Sequence, residues 1–289
     1  MKVLIIGNGF ISRSIVQKLQ SEGHDLLVYS RTFKHKMQVE QVIGDAFDFE
    51  NFKKVFLWKP QVIIHTAWIT TPGKYEIDPV NYKYSKFTSE LANLIPYTEV
   101  EHLIVLGSCA EYGPQRVPSS AGITKLNPKS LYAKQKVAAY FSAKKILEGS
   151  RTRLTWARVF FPYGPGQDSD RLIPYLVHSL RRNNTIHLND SMSTIDWITT
   201  RDIAEAISWV IKHKLPTEID IATSVGYTNI ELVAQLAELL GVTFAFDKHE
   251  LSGSTSRGVL VAGEGSPLFQ SGWNPKDNLA DGLQWVLNS

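Results

Sequence analysis

The sequence predicts a doubly wound parallel α/β sheet followed by a smaller C-terminal α/β region, and three observations predict it. The first two-thirds of the chain alternates short β-branched runs with longer amphipathic segments. The first of those runs opens straight into glycines at Gly7 and Gly9. The alternation then stops at Phe161-Pro162-Tyr163-Gly164-Pro165-Gly166, where proline and glycine crowd together.

Taken in order, residues 3–6, 26–29, 62–64 and 103–106 read as buried strands, because each is a short apolar run bounded by polar or turn residues. Residues 10–20, 49–57, 80–94 and 130–147 read as helices, and 154–159 as a further strand. Beyond 160 the helical patterns fall at 171–182, 201–212, 229–240 and 278–287, with short strands between. The division this suggests is a dinucleotide-binding domain over 1–160, to which some later segments return, and a mainly substrate-binding region over 161–289.

Composition narrows the class. Of 289 residues 43% are hydrophobic and 20% charged, the balance of an ordinary globular protein. The 31 basic and 28 acidic residues leave a net charge of +3, and apart from Arg181-Arg182 and short pairs such as Lys53-Lys54 they are scattered. A nucleic-acid surface is therefore not expected. Cys109 is the single cysteine, so no internal disulfide forms, no Cys/His metal-ligand spacing is present, and a reducing compartment, the cytoplasm, is expected. No run approaches the ~18 apolar residues of a membrane span, and the apolar start at 3–6 ends too soon for a signal peptide.

Strand 3–6 leads into Gly7-Asn8-Gly9-Phe10-Ile11-Ser12, a G-x-G-x-x-S sequence that opens a helix. The first glycine permits the tight turn, the second lets backbone amides approach a pyrophosphate at the positive helix end, and Ser12 keeps helix and strand close. The alternative is a tight strand-to-helix turn with no ligand; the place at the first strand of a βαβ unit favours a Rossmann dinucleotide site. After the second strand, where an acidic residue would hold the ribose hydroxyls of NAD, the chain reads Tyr29-Ser30-Arg31-Thr32, followed by Lys34 and Lys36. Ser30 and Arg31 suit a 2′-phosphate, so NADP(H) is expected, with NAD(H) second; the alternative is a solvated basic loop. Asp45, with Ala46 beside it, is placed either at the adenine edge or as a turn cap.

Tyr132-Ala133-Lys134-Gln135-Lys136 sets a phenol and an ammonium one helical turn apart on one face. A neighbouring ammonium favours the phenolate, which makes a usable acid and base near neutrality. By itself the spacing also fits an exposed helix face. Ser108, just past strand 103–106, supplies a hydroxyl for the same substrate oxygen.

At this point the chain resembles the extended short-chain dehydrogenase/reductase family, the group of sugar-nucleotide epimerases, dehydratases and ketoreductases. The resemblance covers nearly the whole length. It rests on Gly7-Asn8-Gly9-Phe10-Ile11, His65-Thr66-Ala67-Trp68, Ser108-Cys109-Ala110-Glu111-Tyr112-Gly113, Tyr132 with Lys136, 158–166, Asp196-Trp197-Ile198 with Asp202-Ile203-Ala204, and Gly272-Trp273-Asn274-Pro275. It implies that Tyr132 transfers the proton, that Lys136 tunes the phenol and holds the nicotinamide ribose, and that Ser108 bonds the carbonyl. It also implies that Thr66 and Ala67 lie along the cofactor, that the backbone after Tyr163 closes the nicotinamide pocket, and that the protein is a homodimer built on helices 80–94 and 130–147. Asn81 is then a residue near the site or a structural amide.

Dehydratases of this family carry an Asp-Glu pair after the catalytic Ser or Thr; here those places hold Cys109 and Ala110, so dehydration is disfavoured. Members that move carbon-bound protons use a Cys and a His, whose places hold Ala110 and Arg171, with Cys109 one position off. What remains is an NADPH-dependent ketoreductase acting on a nucleotide-linked 4-keto-6-deoxy sugar, with a carbon-4 epimerase as the alternative and a non-catalytic cofactor-binding protein as a third reading. Ile195 and Phe161 stand where well-known epimerases place an Arg and an Asn near the diphosphate, so a substrate without a diphosphate stays open. Arg171 and Arg257 are diphosphate contacts or surface cations, and Trp68 and Trp197 line the sugar pocket or belong to the core. His65, ending a buried strand, reads as a core imidazole.

Overall fold

The computed structural model describes residues 1–33, 38–188, 190–215, 218–245 and 258–289. Its strands are β1 (Lys2–Ile6), β2 (Asp25–Ser30), β3 (Glu40–Ile43), β4 (Val62–His65), β5 (His102–Ser108), β6 (Arg153–Val159), β7 (Phe161–Tyr163), β8 (Thr194–Ile195), β9 (Trp197–Thr199), β10 (Glu218–Ile221), β11 (Tyr227–Thr228) and β12 (Val259–Leu260). Seven of them form one parallel sheet in the order β10-β6-β5-β4-β1-β2-β3. The chain runs outward from β1 to β3 and then returns to lay β4 on the other side of β1. That reversal makes the carboxyl ends of β1 and β4 the topological switch point, where such sheets bind ligands.

The helices are α1 (Phe10–Ser21), α2 (Phe49–Phe52), α3 (Val80–Leu94), α4 (Leu131–Leu147), α5 (Leu172–Arg181), α6 (Thr200–His213), α7 (Asn229–Leu240), α8 (Pro267–Gln270) and α9 (Leu279–Leu287). Val3 and Ile5 face one side of the sheet and pack with Ile15, Leu19, Ile207 and Val210 of α1 and α6. Leu4 and Ile6 face the other and pack with Phe87, Leu91 and Tyr140 of α3 and α4. A strand buried on both faces reads as an unbroken apolar run, which is why β1 is so plain in the sequence.

Residues 49–57 do not form one helix: α2 gives way to a 3-10 segment, Lys53–Trp58, which ends where Lys59 turns left-handed at φ 56. β10, from the later part of the chain, adds to the sheet beside β6. A third core, holding Ile173, Leu176, Trp197, Leu232, Leu236 and Leu283, lies among α5, α7, α9 and β9. The short strands β11, β8 and β12 make a separate sheet, and β7 pairs with β9. Among the described residues no helix is long and apolar enough to cross a membrane.

Candidate active site

The glycine turn sits at the switch point. Gly7 takes φ 109, and a Cβ there would fall 2.6 Å from Thr66 Oγ1 and 3.0 Å from the Ala67 nitrogen, so β1 and the loop after β4 meet closely only because the residue is glycine. Thr66 Oγ1 donates to the Ile6 carbonyl at 2.9 Å. The first turn of α1 starts at Gly9 with no side-chain cap, and nothing lies within 4 Å of the space a Cβ of Gly9 would take. Beside it the Asn8 Oδ1 is buried without a hydrogen-bond partner. An uncapped helix N-terminus, bare space over its first residue and an orphaned polar atom fit a dinucleotide pyrophosphate. Phe10 and Ile11, both half-buried, begin the helix under that space. Ser12 is buried and donates to the Gly9 carbonyl at 2.9 Å.

At the adenosine end Ser30 closes β2, its carbonyl accepting from Gly44 N at 3.0 Å, and Arg31 is exposed. Burial raises the Tyr84 phenol, and the Arg31 charge opposes that rise, so the guanidinium acts across this end of the cleft. Asp45 Oδ1 accepts from Phe47 N at 3.0 Å, the arrangement of a turn cap, while half-buried Ala46 packs on the α3 side of the core. Lys34, Lys36 and Arg257 lie outside the described residues.

Ser108, Tyr132 and Lys136 are brought together by β5 and α4. The Ser130 side chain caps α4 by accepting from Ala133 N, which sets the helix phase from its first turn. Tyr132 and Ser108 share a side-chain hydrogen bond. Ser108 Oγ also accepts from Ala110 N at 3.2 Å. Lys136 Nζ donates to the Leu106 carbonyl at 2.6 Å and stands 3.9 Å from the centroid of the Trp68 ring. From the glycine turn the path is continuous: Gly7 abuts Ala67, Ala67 adjoins Trp68, and Trp68 carries the lysine.

The electrostatics differ from the expectation of a phenol made acidic by its neighbour. Burial pushes the Tyr132 phenol up, and the Ser108 hydrogen bond is what opposes it. Lys136 lies 5.8 Å from the Tyr132 ring centroid because its ammonium is drawn to the Leu106 carbonyl. The desolvation falls on the lysine as well: burial pushes Lys136 down to about 7, opposed by the charge of Glu111. Both groups thus move toward their neutral forms, phenol and amine.

Several candidate residues take other places. Trp68 is a core residue, stacked on Tyr84 at 5.4 Å with its indole N–H donating to Asn81 Oδ1 at 2.7 Å. Asn81 is fully buried and ties that indole to the carbonyls of Tyr75 and Asp78, a structural amide. The Tyr163 ring is buried in the third core and its hydroxyl donates to the Leu279 carbonyl at 3.4 Å. Trp197 packs edge-on to half-buried Phe161 at 5.5 Å, and its buried indole N–H has no partner. Phe161 also packs against the small cluster containing Cys109, while Ala110 packs on the core of the α3 face. Arg171 donates to the Thr70 carbonyl and lies 5.6 Å from the Tyr75 ring centroid, and Tyr75 meets the Tyr132 ring edge-on at 5.1 Å. His65 is buried, its Nε2 3.1 Å from Thr88 Oγ1, and burial pushes it down to about 3.

Glu111 and Tyr75 border the site although the sequence reading gave neither a role. Ser108-x-x-Glu111 is the capping-box pattern, and both of its hydrogen bonds are present. That pattern was the available signal for Glu111; nothing local marks Tyr75.

A seven-stranded parallel sheet with an open glycine turn at its switch point, and a Ser-Tyr-Lys set beside it, define an NAD(P)-dependent enzyme of the extended short-chain dehydrogenase/reductase type. The chain belongs to the NAD dependent epimerase/dehydratase family, whose model matches residues 3–222. It is similar to dTDP-D-glucose 4,6-dehydratase of Homo sapiens, 21% identical over 310 residues that cover 99% of this chain and 89% of the relative. GDP-L-fucose synthase 1 of Arabidopsis thaliana is 25% identical over 322 residues, covering 100% of this chain and 94% of the relative. Among solved structures, UDP-glucose 4-epimerase of Thermus thermophilus in complex with NAD superposes with a TM-score of 0.85 at 22% identity, covering 100% of this chain and 98% of that one.

Proposed function

We propose that the protein is an NADPH-dependent ketoreductase that acts on a nucleotide-linked 4-keto-6-deoxy sugar. One observation carries the reading: the carboxylate nearest Ser108 is committed elsewhere. Glu111 accepts from Ser108 N, Trp156 Nε1 and Arg158 Nε, so it does not present a second acid or base to a substrate. The positions directly after Ser108 are Cys109, buried, and Ala110. A Ser-Tyr-Lys set without an added carboxylate suits one proton moved per hydride, and exposed Arg31 beside Ser30 favours the phosphorylated cofactor, which suits net reduction.

The nicotinamide, when bound, supplies the hydride. Gly7, Asn8, Gly9, Phe10 and Ile11 hold the pyrophosphate, Ser30 and Arg31 the 2′-phosphate, and Asp45, Ala46, Thr66 and Ala67 the adenosine side. Ser108 donates a hydrogen bond to the ketone oxygen. Tyr132 gives that oxygen its proton, and its high pKa keeps the phenol protonated until the oxygen becomes basic. Lys136 steadies the phenolate left behind. Phe161, Trp197 with its unpartnered indole N–H, and Arg171 border the substrate side. On this reading the protein works in the cytoplasm as a homodimer through α3 and α4, where Tyr82 and Phe141 are exposed.

A carbon-4 epimerase that recycles tightly held NAD is the second reading, favoured by the likeness to the Thermus epimerase. The test is incubation with NADPH and a panel of nucleotide-linked 4-keto-6-deoxy sugars, followed at the nicotinamide absorbance. Consumption of NADPH with formation of a 4-hydroxy product is expected. Interconversion of saturated sugar epimers without net consumption reverses the ranking, and a cofactor-induced thermal shift with neither reaction leaves a binding protein.

A further inference from the structure

Gly107 stands between two residues of β5 on which the site depends: Leu106, whose carbonyl holds Lys136 Nζ, and Ser108. A Cβ on Gly107 would fall 2.3 Å from Trp156 Nε1 and 2.7 Å from Glu111 Oε1. Its φ is not positive, so the glycine makes room for a side chain rather than for a turn. That side chain is Glu111, which is fully buried. Oε1 accepts from Ser108 N at 2.8 Å and Trp156 Nε1 at 3.0 Å; Oε2 accepts from Arg158 Nε at 2.8 Å. Arg158 is equally buried, its guanidinium 5.2 Å from the ring centroids of both Tyr112 and Tyr140 and its Nη1 2.8 Å from Glu218 Oε2. Three hydrogen bonds and the ion pair with buried Arg158 hold the carboxylate in place, which is what a fixed electrostatic partner requires.

We propose that Glu111 is a positioning residue for the reaction: across the gap left by Gly107 it fixes the backbone of Ser108 and supplies a negative charge that favours the ammonium form of Lys136 against its burial. The proposal takes Ser108, Tyr132 and Lys136 as the reacting set from the reading above. The titratable groups around the ammonium are Tyr132 on its own helix, His65 at the end of β4 and Glu111 after β5. Burial alone disfavours the ammonium, His65 adds no charge near neutrality because burial keeps it unprotonated, and Glu111 is the group that pulls the other way.

The experiment titrates isotope-labelled lysine by NMR, with Lys136→Met to assign the resonance and no cofactor or substrate present. Glu111→Gln keeps the shape and an oxygen for Ser108 N but removes the charge, and the Lys136 midpoint should fall below that of the unaltered protein. Glu111→Asp keeps Arg158's counter-charge, should the amide variant not fold, and draws the carboxylate back by one methylene; the midpoint should fall in the same direction. On a ketone substrate the Asp variant should lose on the order of tenfold to a hundredfold in kcat with KM little changed, because Ser108 is no longer pinned. A Lys136 midpoint unmoved in every variant that folds overturns the proposal. Since the titration needs neither cofactor nor ketone, it stands apart from the ketoreductase reading, whose failure is the absence of NADPH consumption by the unaltered protein.

Discussion

The ammonium of Lys136 stands 3.9 Å above the ring of Trp68, so the cation of the site rests on an aromatic face supplied by the loop after β4. Trp68 is itself held from below by Tyr84 and through its indole N–H by Asn81. The two helices that carry these residues, α3 and α4, are thereby coupled to the Gly7 turn through Ala67. On the proposed reading, proton transfer on α4 and cofactor contact at β1 share this one link.

That link is open to test. Trp68→Leu keeps apolar bulk but removes both the π face and the indole donor, leaving the buried Asn81 Oδ1 short of a partner. Loss of the donor costs about 1–3 kcal/mol, and loss of the cation–π contact about 0.5–2 kcal/mol. Urea unfolding should show the midpoint falling with an unchanged m-value. A midpoint equal to that of the unaltered protein would show that Trp68 merely fills space.

Lys136 also gives stability a pH dependence whose sign is unusual for a lysine. Its folded value is pushed down to about 7, while an unfolded lysine sits near ~10.4. Between those two values the unfolded chain binds the extra proton, so stability rises with pH across that window, by up to about 1.4 kcal/mol per unit. Below pH 7 both states are charged and the burden of the buried ammonium is present in full. Unfolding free energies measured at pH 7 and pH 9 should differ more for the unaltered protein than for Lys136→Met. Equal differences would mean that the lysine is not desolvated in solution.

How far the sequence announced this molecule depended on whether a signal was local. The strand at 3–6 was plain because Val3 and Ile5 are buried on one face while Leu4 and Ile6 are buried on the other. The bounds of α7 were plain because Thr228 and Glu231 form a capping box and Gly241 ends the helix at φ 66. β3 gave no such signal, since Glu40–Ile43 is an edge strand with Glu40 and Ile43 exposed. Within the site, the spacing of Tyr132 and Lys136 told which face of α4 they share, but not that the Leu106 carbonyl would draw the ammonium aside. The capping-box spacing from Ser108 is a local mark on Glu111, but its contact with Arg158, 47 positions on, has none.

Cofactor choice is the next expectation. Ser30 ends β2 and exposed Arg31 follows it, the pair that on the proposed reading meets a 2′-phosphate, and a hydrogen bond to a charged group contributes about 1.5–3 kcal/mol, a factor of roughly ten to a hundred in affinity. Ser30→Asp with Arg31→Ala should weaken NADP(H) by that factor and leave NAD(H) unaffected or improved, read by calorimetry or quenching of tryptophan fluorescence. An unchanged ratio of the two affinities would return Arg31 to the solvated loop.

The remaining prediction concerns the phenol. Tyr132 packs edge-on against Tyr75 at 5.1 Å and Trp68 at 6.3 Å, contacts that a phenylalanine ring would keep. Tyr132→Phe therefore removes the hydroxyl and its hydrogen bond with Ser108 but little of the packing. If the phenol is the proton donor, turnover of the ketone should fall by about 10²–10⁴, the usual contribution of a placed acid or base. The thermal shift on adding NADP(H) should persist, because the glycine turn and the Ser30-Arg31 end are untouched. Loss of the shift together with activity would mean that the hydroxyl organises the cleft, and retained turnover would mean that the proton comes from elsewhere. The pH profile separates these cases further: burial holds the phenol above its ordinary value, so no limb of the rate profile near neutrality belongs to Tyr132. A limb near pH 7 belongs to Lys136, and it should vanish in Lys136→Met while surviving, at reduced rate, in Tyr132→Phe.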